Sequence, residues 1–454
     1  MLAPFAQNDI RQKAVYRTVH SAGLRDVEQR NGSKSKPSEK KQNNRGPQMI
    51  KKIHVSDVKL GMYIHEICSS WMDHPFWSGS FALNSVDNLK KLKTCGVKYV
   101  WIDTARGCDT EPRIPALTQE EENRQIDRVL HDLVADTPKS GATLALHEEI
   151  DNARKILANA QKKVENMFLD VRMGKALQVD EAKTVVSEIN QSIARNPNAL
   201  LSLVRLKHKD SYTYLHSVAV CALMIALGKQ LGIKDDQLLM LGEAGLFHDI
   251  GKAMIPETVL NKAGKLTDAE FAAIKEHPGL GWKILKQVPK MHRVALDVAL
   301  HHHEKTDGSG YPDKRSGADL SLAARMGAIC DVYDAITSER CYKSAWEPSE
   351  AIRKMASWQN GHFDKKVFHA FVKTMGIYPV GTLVKMKSGR MGVVIDQTEK
   401  SLTTPIVKVF FSITSNMHIL PEKINLAQSS ESIESSEDPI AWGFDLQPIM
   451  AALN

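Results

Sequence analysis

The sequence predicts a mainly α protein: a helical bundle carrying a binuclear metal site, preceded by a small α+β domain and a long helix, and followed by a short β-rich C-terminal extension. Three observations predict it. Helical patterning dominates from Asp180 to Gly376; histidines and aspartates are embedded in that apolar helical sequence; strand-and-turn patterns stand before and after it. At 454 residues the chain is too long for one ordinary core, so two or three domains are expected.

The elements follow in order. Residues 1–48 form a basic tail that ends in a polar stretch, Asn31 to Gln48, with too little apolar area to offset the entropy of ordering, so this segment is expected to be disordered. A strand-like pattern restarts at Met49, which makes Met49 a second candidate start of translation. Val55, Val58, Leu60, Met62 and Ile64 suggest strand or edge structure. Ser85 caps a short helix closed by Gly96, and residues 97–103 read as a strand, completing a small α+β domain at 49–117. Thr118 to Glu121 has the form of a capping box and opens a helical linker, 118–179. Residues 143–174 read as one long helix whose stripe, Ile150, Ala153, Leu157, Ala160, Val164, Met167 and Val171, fits either a homodimer or packing within the chain. The helical domain spans 180–376. In the extension, 377–454, residues 382–396 read as a hairpin around Ser388-Gly389 and 405–412 as a third strand, with the polar stretch 429–438 leading to the end.

Composition excludes several classes. The longest apolar run, Val218 to Leu227, is half of the ~20 residues a membrane-spanning helix needs, so it reads as a buried core helix and no membrane insertion is expected. No secretory signal pattern is found, which predicts a cytoplasmic protein. Cys68, Cys95, Cys108, Cys221, Cys330 and Cys341 form no CxxC pair, against both a zinc ribbon and a disulfide framework. Of the net charge of +7, six units sit in residues 1–48, so the folded part makes no electrostatic case for long nucleic acid. There is no GxxxxGK[ST] sequence, which removes P-loop chemistry.

The residues that carry chemistry are His216, His248-Asp249, His277, His302-His303 and Asp331. A single histidine on an apolar face is usually a hydrogen-bonded core residue; this set is not explained that way, because each member needs a partner if buried. Imidazole and carboxylate donors without sulfur suit iron, manganese, nickel or zinc. An aspartate directly after a histidine has two oxygens with which to bridge two cations ~3.5–4 Å apart, the spacing at which a shared hydroxide attacks phosphorus. Phosphoryl hydrolysis is the implied reaction.

Taken together, YTYLHSVAV (212–220), HDIGK (248–252), the segment 255–278, HHEKTDGSGYP (302–312) and DVYDAITSERCYK (331–343) resemble an HD-GYP domain, a subgroup of the HD metal-dependent phosphohydrolases known as bacterial cyclic di-GMP phosphodiesterases. The resemblance implies an HD-type bundle with two divalent metal ions, iron or manganese, one held by His216, His248, Asp249 and Asp331 and the other by Asp249, His277, His302 and His303. It implies that Asp249 and Lys252 are catalytic, Lys252 lying beside the bridging water and scissile phosphate. Gly310, Tyr311 and Pro312 correspond to the loop that faces substrate and partner, a diguanylate cyclase (GGDEF) being the implied partner. Glu304 and Asp307 hold that loop in shape, while Arg340 and Lys343 reach the dinucleotide phosphate. Some members carry a glutamate bridging an additional metal where this chain has Tyr212, so two metals are expected and not three. Residues 51–113 resemble the small domain of unknown function that often precedes HD-GYP. The implied activity is hydrolysis of cyclic di-GMP, with linear pGpG or, after a second cut, GMP as the end product. The alternatives are 3′,3′-cyclic GMP-AMP as substrate, or a dinucleotide-sensing or docking module without turnover.

Overall fold

The computed structural model describes residues 50–446 except 70–73, 75, 77–79, 111–118, 135–142, 206–211, 263, 265, 339–344, 360, 399–400 and 445. The basic tail, Thr118 of the expected capping box, and Arg340 and Lys343 therefore lie outside the described residues, as does the side chain of Tyr212.

The N-terminal part is a four-stranded antiparallel sheet built from β1 (Ile50–His54), β2 (Tyr63–Ile67), β3 (Phe81–Ala82) and β4 (Tyr99–Asp103) in the order β1-β4-β2-β3, with helix α1 (Val86–Thr94) between β3 and β4. The Ser85 hydroxyl accepts the Asn88 amide at the start of α1, and Gly96, at φ +86°, takes the left-handed turn after it. Val58, Met62, Ile64, Leu83, Leu92, Val100 and Ile102 form the small core between sheet and helix.

Helices α2 (Gln119–Val134) and α3 (Leu146–Arg172) lead into the bundle. The stripe of α3 faces inward: Ile150, Ala153, Ala160, Val164, Met167 and Val171 are buried against α4 (Val179–Arg195), α5 (Pro197–Arg205) and α6 (Tyr212–Gln230), with Leu157 partly buried. Of the two expectations for the stripe of residues 143–174, packing within the chain is the one it follows. Glu149 of α3 is buried with the stripe, and Arg195 of α4 donates to both of its oxygens at 2.6 and 2.9 Å.

From α6 onward come α7 (Asp235–Phe247), the short α8 (Glu257–Leu260) and α9 (Asp268–Ile274), then α10 (His277–Lys286), α11 (Arg293–His301), α12 (Leu322–Thr337), α13 (Pro348–Trp358) and α14 (Lys365–Met375). Two of these carry apolar residues on every face. Val218 to Leu227 of α6 is buried throughout, and so is α12 from Met326 to Thr337. They form the centre of the core, and both carry candidate ligands.

The C-terminal extension is a five-stranded sheet of β5 (Leu383–Met386), β6 (Arg390–Asp396), β7 (Ile406–Ser412), β8 (Met417–Asn425) and β9 (Ile433–Glu437) in the order β8-β7-β6-β5-β9, followed by the short α15 (Pro439–Trp442). The expected hairpin at Ser388-Gly389 and the third strand are present. Two expectations change: β8 was not foreseen, and the polar stretch 429–438 contains β9, which pairs antiparallel with β5. The strand IESSE forms because its backbone completes the open side of β5, not because its side chains demand burial.

Candidate metal centre

Six pieces of the bundle converge. His216 projects from the first turns of α6; His248 ends α7; Asp249 starts a 3₁₀ turn at Ile250–Met254; His277 begins α10; His302 and His303 follow α11; Asp331 sits midway along α12. All seven are buried, none more than 8% exposed. Gly251 explains part of this convergence. A Cβ at that position would fall 2.0 Å from the His277 carbonyl oxygen and 2.5 Å from the Gly281 amide, so only glycine lets α10 approach close enough to present His277 beside Asp249.

The donor atoms divide about Asp249. Its Oδ2 lies 3.4 Å from His216 Nε2 and 3.3 Å from His248 Nε2, while Asp331 Oδ1 is 3.0 Å from His216 Nε2. Its Oδ1 lies 3.2 Å from His277 Nε2 and 3.8 Å from His302 Nε2. His303 joins His277 and His302 in one compact group of donors, with its Nδ1 3.7 Å from Asp331 Oδ2. One carboxylate thus presents one oxygen to each of two donor sets. Octahedral or tetrahedral ligands ~2.1 Å from a cation are separated by about 3.0–3.4 Å, which matches the shorter of these spacings.

The hydrogen bonds fix the tautomers. His248 Nδ1 donates to the Gly245 carbonyl at 2.8 Å, His277 Nδ1 to Ile274 at 2.7 Å, and His302 Nδ1 to Val298 at 3.0 Å. A carbonyl only accepts, so these rings carry the proton on Nδ1 and turn an Nε2 lone pair inward. His216 Nδ1 is held by Asp334 Oδ2 at 2.6 Å with the same result. The Nε2 atoms of His216 and His248 then face each other at 3.2 Å, as do those of His277 and His302. Facing lone pairs repel unless a cation lies near both. Asp249 Oδ1, Asp331 Oδ2 and His303 Nε2 are also buried without a hydrogen-bond partner. By donor chemistry and by these orphaned atoms, the residues fit divalent metal ions.

Electrostatics agree. Burial pushes His302 down to about 3, with His248 and His277 adding to the effect, and burial likewise holds His303 well below its usual value, so both rings are neutral donors. Burial opposes ionisation of Asp249 and Asp331, yet the imidazoles around them, and Lys252 for Asp249, keep both carboxyls well below the usual range. His248 goes the other way: burial disfavours its proton, but Asp249 and Asp331 outweigh burial and favour it, a position that a bound cation takes over.

Lys252 is no ordinary surface lysine. Its Nζ lies 2.5 Å from Asp249 Oδ2 and its side chain is 14% exposed. Gly310 packs where a Cβ would meet the Glu304 Cα at 2.5 Å, and the Tyr311 amide donates to the His303 carbonyl at 3.2 Å. The Tyr311 ring stacks on His303, centroids 4.7 Å apart, with the Lys275 ammonium 4.8 Å from its centroid. Pro312 follows, exposed, and Glu304 Oε1 accepts the Asp313 amide at 2.7 Å, which holds the loop as expected. Sequence reasoning missed Asp334 and Lys275. Asp334 lies one helical turn after Asp331, and that i, i+3 spacing was the available signal.

Comparison with known proteins agrees with this geometry. A family model described as an HD domain matches residues 189–367, and one described as a domain of unknown function, DUF3391, matches residues 50–182. A cyclic di-GMP phosphodiesterase of Pseudomonas aeruginosa is 49% identical over 399 residues, covering 87% of this chain and 94% of the relative. A cyclic di-GMP phosphodiesterase response regulator of Xanthomonas campestris pv. campestris is 34% identical over 42% of this chain and 50% of its own length. A 3′3′-cGAMP-specific phosphodiesterase of Vibrio cholerae is 32% identical over 37% of this chain and 32% of its own length.

Proposed function

The chain belongs to the HD-GYP family of cyclic di-GMP phosphodiesterases, and from that premise we infer that it hydrolyses a phosphodiester bond of cyclic di-GMP to linear pGpG, and on to GMP, at the cluster centred on Asp249. The observation that carries the reading is the division of Asp249, one oxygen toward His216, His248 and Asp331 and the other toward His277 and His302. Two divalent ions, iron or manganese, are the proposed occupants, with His303 completing the second donor set. Such ions supply Lewis acidity and a hydroxide at neutral pH.

The protein groups have separate tasks. Asp249 shares its charge between the two donor sets. Lys252 places an ammonium beside that carboxylate, where it opposes the negative charge that develops on the phosphoryl oxygens in the transition state. Tyr311, stacked on His303, forms a wall at the end of the loop that Gly310 and Pro312 shape, and this loop is the proposed face for substrate and for a diguanylate cyclase. Arg340 and Lys343 are proposed to take the dinucleotide phosphate. No helix among the described residues is long and apolar enough to cross a membrane, and the proposed place of action is the cytoplasm, with the nucleotide.

Protein prepared anaerobically and loaded with ferrous or manganous ion is incubated separately with cyclic di-GMP and 3′,3′-cyclic GMP-AMP, and the products are separated by chromatography. Linear product from cyclic di-GMP is expected. Binding of both dinucleotides without turnover of either would leave a sensing module instead. Faster turnover of the mixed dinucleotide would favour the second reading, which the similarity to the Vibrio enzyme keeps in play.

A further inference from the structure

A cavity that none of the seven donors lines lies between the N-terminal sheet and the loop that leads to Tyr311. Its volume is about 650 Å³, within the ~300–1,000 Å³ of small-molecule sites. Lys52 and His54 of β1 and Lys98 and Tyr99 at the start of β4 line one wall; Lys305 and His362 line the other.

Among the described residues three carboxylates line this cleft, and each has a partner: Asp57 accepts the Ser56 hydroxyl at 3.3 Å. Glu122 accepts from Lys52 at 2.5 Å. Asp307 pairs through Oδ2 with Lys98 Nζ at 2.6 Å, while its Oδ1 accepts the Ser309 amide at 3.0 Å and the Ser309 hydroxyl at 2.6 Å. Donor capacity is left over. An ammonium carries three N–H donors, and the Lys98 side chain is 49% exposed beside the carboxylate it holds. Gly361 keeps this pair uncovered: at φ +104°, a Cβ there would sit 2.7 Å from Asp307 Oδ2 and 2.8 Å from Lys98 Nζ. On the sheet side, the Lys52 ammonium lies 5.4 Å from the Tyr99 centroid and 5.8 Å from that of Trp101. The cleft therefore combines the half-exposed Lys98 ammonium with an aromatic face and a volume larger than a bare ion needs.

We propose that this cleft binds a phosphomonoester of mononucleotide size, with its phosphate at Lys98 and its planar ring along the face of Lys52 and Tyr99, and that occupancy slows hydrolysis at the metal centre. The route is short. A phosphate on Lys98 competes with Asp307 for the ammonium, and Asp307 holds the turn at Ser309, two residues before Tyr311. Tyr311 in turn stacks on His303, so the cleft and the metal centre share one loop.

The test uses the full metal-loaded chain and calorimetric titration with GMP, AMP, ribose 5-phosphate and inorganic phosphate, on the parent, Lys52→Met, Lys98→Met and Lys98→Arg. The seven donor residues are unchanged in all four, and metal content and turnover without GMP, measured for each, report any change that reaches the metal centre through Asp307. GMP is expected to bind the parent at least tenfold more tightly than either methionine variant, with Lys98→Arg close to the parent. Saturating GMP should lower the parent's cyclic di-GMP turnover at least threefold at saturating substrate and leave Lys98→Met unaffected. Equal binding by GMP and AMP points to phosphomonoesters generally, and binding by GMP alone points to the reaction's own end product. Equal affinity in parent and methionine variants, or binding of inorganic phosphate alone, overturns the site; binding without a change in turnover overturns the coupling. The binding arm needs no hydrolysis, so its failure is distinct from failure of the proposed function.

Discussion

Asp334 is the sharpest point at which to perturb the centre, because it touches a proposed ligand without being one. Its carboxylate accepts the hydrogen bond from His216 Nδ1 at 2.6 Å, buried at 2% exposure on α12. That bond fixes the ring orientation and turns Nε2 toward Asp249 and Asp331. Loss of such an outer carboxylate typically lowers metal affinity 10- to 100-fold, or about 1.4–2.7 kcal/mol. Asp334→Asn keeps an acceptor but loses the charge, so it should fall near the lower limit, and Asp334→Ala near the upper. The assay is chelator competition followed by elemental analysis, with circular dichroism to confirm the helices. Excess metal should restore most of the Asp334→Ala turnover, since the ligand set remains whole, whereas Asp249→Ala should stay inactive at any metal concentration. An Asp334→Ala protein that holds metal as tightly as the parent would refute the orienting role.

Tyr212→Glu tests the metal count: the parent should approach two metals per chain by elemental analysis and the variant should move toward three, because a phenol of reference pKa ~10 is a poor bridging ligand at pH 7; three tightly held metals in the parent would count against the two-metal reading. Gly251→Ala forces a Cβ to within 2.0 Å of the His277 carbonyl oxygen, so α10 must move; a loss of at least ~1–3 kcal/mol in denaturant unfolding and a clear drop in metal content are expected, and unchanged metal content would contradict the packing argument. Glu149→Gln tests the pair joining α3 and α4. Burial opposes ionisation of Glu149, but hydrogen bonds from Arg195, Ser192 and Asn152 outweigh it and hold the carboxyl below the usual range. Its stabilisation is therefore present above the unfolded value of ~4.3 and fades as pH falls through the folded value. The variant should melt lower than the parent at pH 7, and the two should converge under acid; a constant gap down to pH 2 would contradict the assignment.

Much of the centre was legible because its donors come in short motifs. His248-Asp249 with Gly251 and Lys252, and His302-His303 with Gly310 to Pro312, put several groups in fixed spacing, and the structure brings His216, His277 and Asp331 to the same point from distant helices. The remainder depended on information that pattern does not contain. The α3 stripe has the same spacing whether it meets its own chain or a second copy, and only the position of α4, α5 and α6 decides. Strand β9 was illegible because IESSE has no apolar alternation; its pairing arises from the unfilled backbone of β5, some fifty residues earlier. The Lys98–Asp307 pair joins residues far apart in sequence, each of which reads alone as an ordinary surface charge.

Helices α6 and α12, buried on every face, also bear on the rates at which the centre exchanges with its surroundings. Backbone amides that open only when the whole bundle opens are the last to exchange with deuterated water, and the burial of Val218–Met224 and Ile329–Tyr333 predicts that these stretches behave so. Asp331 lies within one of these stretches and His216 two residues before the other, whereas His303 borders the loop of Tyr311. Entry and departure of a cation should then follow the fluctuations of that loop rather than any breathing of the helices, giving a centre whose floor is fixed and whose mouth sets the tempo.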